Sequence, residues 1–164
     1  MTIVDRVRYL LITGFGTGLA PVASGTFGTI PAVVLGVVLQ VWWQGPQLAL
    51  VLFILAALLL AFGCGTSDYV ERTFAGKDPG QFVLDEIVGY LIALGMIALV
   101  MEHGPSPWAH GWCFLLFRGF DVLKLFPADR LEELPGAFGI MLDDVAAAVY
   151  AGVCLLIMHY FKLL

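Results

Sequence analysis

The chain has 164 residues, of which 60% are hydrophobic and 13% are charged, and its mean hydropathy is +0.94. Soluble globular domains carry about 45–50% apolar and about 25% charged residues, so this composition excludes an ordinary soluble domain and predicts an integral membrane protein. The formal net charge of −5 argues against nucleic acid as a partner, because phosphate backbones recruit basic surfaces.

The apolar segments predict an all-α fold. Residues 1–13 alternate charge with apolar bulk, which is typical of a short interfacial helix, and residues 14–29 are rich in small residues, which favours a loop. Pro31 suits an early position in the next helix, where its missing N–H costs no hydrogen bond. The longer apolar segments are, in chain order, residues 30–43, 48–66, 87–101, 108–125 and 145–164. We therefore predict one domain over residues 1–164, a membrane helical bundle of four to five spans plus the N-terminal interfacial helix.

Basic side chains are concentrated in alternate connections of this bundle. Seven of the eight Lys and Arg residues lie in the N-terminal segment, in residues 67–86 or in residues 118–144. The turns at residues 44–47 and 102–107 contain none. The positive-inside rule places the basic connections in the cytoplasm. Residues 108–125 either cross or re-enter the membrane, and the charge bias favours the crossing, which makes five spans.

Two acidic doublets, Asp85-Glu86 and Asp143-Asp144, each stand at the head of a strongly apolar stretch. Carboxylates at the edge of a bilayer-length helix are costly to place, which makes them candidates for function. Brought together, the doublets would offer hard oxygen ligands to a divalent cation. The alternative is that the acids only compensate helix dipoles, because acidic side chains are favoured in a first helical turn.

Small residues with backbone freedom precede the first predicted span. Gly25, Thr26 and Gly28 lie in the sequence Ser-Gly-Thr-Phe-Gly-Thr, just ahead of a helix. Glycines let backbone N–H groups approach a ligand, and a helix N-terminus attracts an anion, so this segment is a candidate phosphate-binding loop. A plain turn is the alternative.

Cationic candidates follow in the segment 108–125. Arg118, Asp121 and Lys124 are spaced by three residues and so share one helical face, where Arg and Lys would bind a phosphate. An Arg118–Asp121 ion pair that neutralises a helix end is the alternative. Asp68 and Asp78, in the preceding polar segment, are further acids near this side of the membrane, and either can simply be solvated.

Known nucleophile motifs are missing from the sequence. It has no GxSxG elbow, and Cys113 to Arg118 is one residue shorter than the C-x5-R loop of cysteine phosphatases. What remains is a carboxylate-bound metal that activates water and neutralises developing charge.

The sequence resembles the phosphatidylglycerophosphatase A family over nearly its whole length. The similar stretches are GFGTGLAPVASGTFGT at 14–29, KDPGQFVLDEIVGY at 77–90, FRGFDVLKLFP at 117–127 and GAFGIMLDDVAAAVYAG at 136–152. The family often has Pro-Gly-Thr where this chain has Ser24-Gly25-Thr26. The resemblance implies a Mg²⁺-dependent phosphatase of the bacterial cytoplasmic (inner) membrane, which converts phosphatidylglycerophosphate to phosphatidylglycerol and phosphate in phospholipid biosynthesis.

The site residues that the resemblance carries over coincide with those chosen from the pattern. The motif acids are Asp85, Glu86, Asp121, Asp143 and Asp144, with Arg118 and Lys124 as basic partners. In this hypothesis the two doublets hold one or two Mg²⁺, Asp121 is a further ligand or orients Arg118, and the cations bind phosphate with donors around Gly25, Thr26 and Gly28. The alternative class is a membrane transport or structural subunit that uses edge carboxylates for cation binding.

Overall fold

The structure, a computed structural model, describes residues 2–74 and 79–164, and Lys77 and Asp78 lie outside the described residues. In the described ranges all regular structure is helical, which confirms the predicted all-α class. The α-helices are α1 (Ile3–Ile12), α2 (Ser24–Leu39), α3 (Gly45–Cys64), α4 (Ser67–Thr73), α5 (Leu84–Ala98), α6 (Pro107–Leu123), α7 (Ala128–Leu131) and α8 (Ala137–Tyr160). A short 3-10 turn, Thr17–Leu19, lies between α1 and α2.

Helix α5 lies at the centre of the bundle. It has no continuous polar face, and 13 of its 15 residues are buried. Such a helix is stable only when neighbours cover it on all sides, and α2, α3, α6 and α8 all contact it. Glycines permit the closest of these contacts. A Cβ built on Gly89 would lie 2.3 Å from the Phe117 ring of α6, and one built on Gly95 would lie 2.8 Å from the Phe53 ring of α3.

The five long helices alternate in direction. At one end of the bundle, Ser67 accepts a hydrogen bond from the Ala137 N–H at 3.0 Å, so the end of α3 meets the start of α8. At the other end, Gly45 lies against Glu102, so the start of α3 meets the segment after α5. Helix α6 runs the length of the bundle between these ends. We call the end with the starts of α2, α5 and α8 the site end, and the opposite one the far end.

A buried hydrogen-bonded chain connects three helices toward the far end. The Tyr90 hydroxyl donates to His110 Nδ1 at 2.8 Å, and His110 Nε2 lies 3.1 Å from Gln40 Oε1. Because the Gln40 oxygen only accepts, the proton of the imidazole belongs on Nε2. Each of these polar side chains is thereby satisfied inside an apolar bundle, and α2, α5 and α6 are held together.

The predicted loop over residues 14–29 is wrong for its last six residues, because α2 begins at Ser24. Ala23 has a left-handed backbone (φ 51°), which turns the chain into the helix. Close contacts leave no room for a side chain at Gly25 and Gly28. A Cβ built on Gly28 would lie 2.4 Å from Val83 Cβ. Pro31 consequently lies in the helix interior, where its ring removes one intrahelical hydrogen bond.

The predicted start of the last helix at residue 145 is also wrong. Helix α8 begins at Ala137, after Gly136 with φ +61°, so the second doublet occupies the seventh and eighth helical positions rather than the head. The connection between the predicted segments 108–125 and 145–164 contains α7 as well as this helix start. The earlier start is stabilised by burial, since Ile140 and Met141 both belong to the apolar core.

Two helices in the described part of the chain are long and apolar enough to cross a membrane, namely α3 with 20 residues and α8 with 24. Helix α2 is apolar but has 16 residues, and α5 has 15, which corresponds to about 22 Å of helix against roughly 30 Å of hydrocarbon. The predicted four to five spans therefore stay a prediction.

Candidate functional site

A cavity of about 330 Å³ opens at the site end, where four helix ends converge. Its walls come from the start of α2, the start of α5, the end of α6 and the second turn of α8. The residues that line it are Ala23, Ser24, Gly25, Gly80, Phe82, Asp85, Glu86, Arg118, Asp121, Val122, Lys124, Asp143 and Asp144. The structure thus brings all five predicted acids and both predicted cations to one place.

Three of the acids form a compact cluster. Asp85, Glu86 and Asp144 each place one carboxylate oxygen within 4.8 Å of the others, and all three residues are buried. Among the described residues, Glu86 Oε2 and Asp144 Oδ2 have no hydrogen-bond partner. A buried carboxylate oxygen without a donor is costly, and a hard divalent cation would satisfy several at once. The donor set therefore fits an ion such as Mg²⁺.

Helix dipoles do not explain the whole cluster. Asp85 and Glu86 do lie in the first turn of α5, where the dipole and free N–H groups favour negative charge. Asp144 is the eighth residue of α8, just past its second turn, whereas the dipole effect falls off within the first turn. The helix dipole therefore does not account for Asp144.

Arg118 connects the cluster to the end of α6. Its Nη1 atom lies 3.5 Å from Glu86 Oε1 and pairs closely with Asp121 Oδ2. The Arg118–Asp121 ion pair named as an alternative therefore exists. The same guanidinium also lines the cavity, so the ion pair holds Arg118 in place beside the carboxylate cluster.

Lys124 joins two acids at the rim of the cavity. Its Nζ atom donates to Asp143 Oδ2 at 2.9 Å and lies 3.0 Å from Glu132 Oε1. Burial alone would lower the pKa of Lys124, but its hydrogen bonds to these two carboxylates outweigh that effect and raise the pKa above the ordinary lysine value. The ammonium thus stays charged at physiological pH. Asp143 stands apart from the cluster: one of its oxygens pairs with Lys124, and the other accepts from the Asp144 N–H.

Glu132 is a site residue that the sequence reasoning missed. It lies in the connection after α7, which the sequence presents only as a polar loop. Its backbone is held against α8, because a Cβ on Gly139 would lie 2.8 Å from the Glu132 carbonyl oxygen. The glycine at that position was the one available signal that this loop folds back onto α8.

The first turn of α2 forms the wall opposite the acids. A Cβ built on Gly25 would lie 2.3 Å from Glu86 Oε1 and 2.6 Å from Arg118 Nη2, so only glycine leaves room for this pair. Of the other predicted loop donors, Gly28 packs on Val83 and Thr26 is half-buried outside the cavity lining. Asp68 is exposed on α4, outside the cavity lining, and Asp78 lies outside the described residues.

These features define an all-helical, membrane-associated protein with a polar site in which clustered carboxylates meet two cationic side chains. The chain belongs to the phosphatidylglycerophosphatase A family, whose sequence profile matches residues 10–159, and this confirms the resemblance found in the sequence. Family membership makes it a phosphatase, an enzyme that hydrolyses a phosphoester.

Three curated relatives support this assignment. The chain is 36% identical to the phosphatidylglycerophosphatase A of Haemophilus influenzae, over 94% of this chain and 90% of the relative. It is 29% identical to the phosphatidylglycerophosphatase A of Escherichia coli, over 94% and 86%. It is also 36% identical to a Bacteroides thetaiotaomicron protein named as a candidate phosphatidylinositol-3-phosphatase, over 87% of each chain. No solved structure matches the chain.

Proposed function

We propose that this protein is a Mg²⁺-dependent lipid phosphatase that hydrolyses phosphatidylglycerophosphate to phosphatidylglycerol and phosphate. The observation that carries the proposal is the convergence of Asp85, Glu86 and Asp144, with two unpartnered buried oxygens, beside Arg118 in one cavity. The choice of substrate rests on the two relatives that are named phosphatidylglycerophosphatase A.

Charge balance supports a cation in this cavity. Among the described residues, five carboxylates line it against two cationic side chains, an excess of three formal negative charges. A phosphate would be repelled by such a surface unless further positive charge were added. Asp85, Glu86 and Asp144 would hold the ion, which when bound supplies positive charge for the phosphoryl oxygens and makes water a better nucleophile.

The chain's own residues bind and orient the phosphate in this proposal. Arg118 offers a planar fork of N–H donors, held in place by Asp121. Lys124 adds a point charge at the rim, and Asp143 keeps that ammonium turned toward the cavity. Backbone N–H groups at Ser24 and Gly25, in the open first turn of α2, are further donors for an anion.

The same geometry supports a membrane arrangement. The five alternating helices would cross the bilayer, and the site end, which carries most of the basic side chains, would face the cytoplasm. The acyl chains of a phospholipid would stay in the bilayer while the headgroup reaches the cavity. Such an enzyme would act in phospholipid biosynthesis at the bacterial inner membrane.

A transport function has less support. It would require polar groups at several depths of the bundle. In the described ranges the clustered acids lie at the site end, and the polar chain of Tyr90, His110 and Gln40 is closed by its own hydrogen bonds.

Phosphate release by the detergent-purified protein tests the proposal. We expect release from phosphatidylglycerophosphate that requires Mg²⁺ and stops with EDTA, and at least about 10³-fold slower release by the Asp85→Asn and Asp144→Asn variants. Asp68→Asn is the matched control, because this exposed acid lies outside the cavity lining, and it should keep full activity. Near-native turnover in both cavity variants would refute the metal site. Preferential hydrolysis of phosphatidylinositol 3-phosphate would indicate that the substrate is instead the one named for the Bacteroides relative.

A further inference from the structure

A second cavity, of about 310 Å³, adjoins the carboxylate cavity. Its lining consists of Gly18, Leu19, Ala20, Pro21, Ser24, Gly80 and Gln81. Two of these residues, Ser24 and Gly80, also line the first cavity, so the two spaces share a wall. A ligand larger than phosphate could therefore extend from one cavity into the other.

Close backbone approach builds this second cavity. A Cβ on Gly18 would lie 2.6 Å from the Gln81 carbonyl oxygen, and one on Gly80 would lie 3.1 Å from the Ser24 hydroxyl. The segment before α2 and the segment before α5 are thus held side by side with little room for larger residues. The second cavity is therefore formed by two segments that are far apart in the chain.

The described residues that line the second cavity are neutral, and none of their side chains is ionisable. The backbone N–H groups of Gly18, Leu19 and Ala20 already donate to the Thr13, Gly16 and Thr17 carbonyls.

Besides backbone groups, this cavity offers a ligand the Ser24 hydroxyl and the Gln81 amide, which can both donate and accept. Such paired donors and acceptors, without a described cationic side chain, suit an uncharged, hydroxyl-bearing group.

Exposed apolar side chains lie in the segment that forms one wall of the second cavity. Leu19, which lines it, is 50% exposed, and Val22, close by in the chain, is 75% exposed. Exposed apolar residues next to a polar cleft are typical of a surface that enters the bilayer interface. A phospholipid with its chains beyond these residues would direct its headgroup past Ser24 toward the acids.

We infer that the second cavity binds the hydroxyl-bearing unit that joins the scissile phosphate to the rest of the lipid, which in phosphatidylglycerophosphate is glycerol. Gln81 is then a specificity-determining residue, because its amide can both donate to and accept from that unit. This inference rests on the proposed lipid phosphatase function and adds the subsite that selects the headgroup.

Steady-state kinetics of two variants test the subsite. Gln81→Ala removes the amide, and Ala20→Leu fills the cavity from the opposite wall at a half-buried position. Gln47→Ala, at an exposed glutamine of the far end, is the matched control. The comparator ligand is inorganic phosphate, which as a competitive product inhibitor occupies only the first cavity.

We expect Gln81→Ala and Ala20→Leu to raise the KM for phosphatidylglycerophosphate about fivefold to tenfold, with kcat and the inhibition constant of inorganic phosphate within about twofold of wild type. Gln47→Ala should change none of these. An unchanged KM in both cavity variants, or an equal change in KM and in phosphate inhibition, would overturn the subsite. Absence of phosphate release by the wild-type protein would instead refute the proposed function.

Discussion

Asp143 and Asp144 are neighbours in the chain, yet their carboxyl groups have different partners. Successive helical residues point about 100° apart, so Asp144 joins the cluster with Asp85 and Glu86 while Asp143 reaches Lys124. One carboxylate is thus available to a cation, and the other is committed to an ammonium. The doublet combines two roles that the sequence does not separate.

Gly25 is the residue whose size most directly limits the site. In Gly25→Ala the new methyl group would meet Glu86 Oε1 and Arg118 Nη2, both closer than 3 Å. We expect at least about 100-fold lower kcat/KM, since a displacement near 1 Å of catalytic groups has effects of this order. Gly119→Ala is the control, because it neighbours Arg118 in the chain and has open space at its Cβ. Equal activity in the two variants would contradict the close contact.

Glu132 is expected to restrain Lys124. In Glu132→Ala the ammonium loses one of its two carboxylate partners, so its reaction with an amine-labelling reagent should become several times faster. Mass spectrometry can follow this rate relative to Lys162, because the chain has only three lysines. Glu133→Ala, which removes the neighbouring acid that lies near Arg130, should leave the rate unchanged. A rate in Glu132→Ala equal to that of wild type would exclude the restraint.

At the scale of the helices, the parallel packing of α5 and α8 brings acids of the two doublets together. The two helices run in the same direction, and Gly89 of α5 lies against the Asp144 carbonyl oxygen of α8. Asp144 is the eighth residue of α8 and Gly89 is the sixth residue of α5, so α8 begins about two residues, roughly 3 Å, earlier at the site end. The acidic side chains meet in the cavity at the start of α5.

Gly89 is the position at which helix packing is most easily tested. Gly89→Ala would force the Phe117 ring and the α8 backbone away, and overpacking of this kind costs about 1–3 kcal/mol. Gly111→Ala, at an exposed helical position of α6 with open space, should be neutral or stabilising by about 0.5–1 kcal/mol. Thermal unfolding in detergent measures both. A Tm for Gly89→Ala at or above that of Gly111→Ala would show that α5 tolerates more separation than the structure indicates.

At the scale of the whole molecule, the polar chemistry is confined to one end of the bundle. The carboxylate cluster, both cavity cations and Glu132 lie at the site end. The far end has the turns without Lys or Arg and the closed Tyr90–His110–Gln40 chain. An uneven distribution of this kind suits an enzyme that works at one membrane surface.

The alternating directions of the five long helices predict which positions share a side of the membrane. In a variant without the native cysteines, Gln44→Cys and Lys162→Cys should react with an impermeant thiol reagent from the same side, and Arg130→Cys only from the other. Intact and inverted membrane vesicles provide the two arms of the measurement. Labelling of Arg130→Cys and Lys162→Cys from one common side would exclude five crossings.

The all-α class and the choice of candidate site residues are accessible from the sequence. In a chain with so few charged residues, a charged side chain beside an apolar segment is a candidate for function. On this ground the sequence singles out Asp85, Glu86, Arg118 and Asp144. Helix boundaries were less accessible, because Gly25 and Gly28 favour a loop locally while close packing against Val83 and the site residues stabilises a helix.

Only the tertiary structure decided which oxygen faces which partner. The separation of Asp143 from the cluster, the contact of Glu132 with Lys124 and the cavity between Ser24 and Gln81 all depend on the offset and rotation of packed helices. These quantities are set by contacts between residues far apart in the chain, such as Gly89 with Phe117, and no local pattern encodes them.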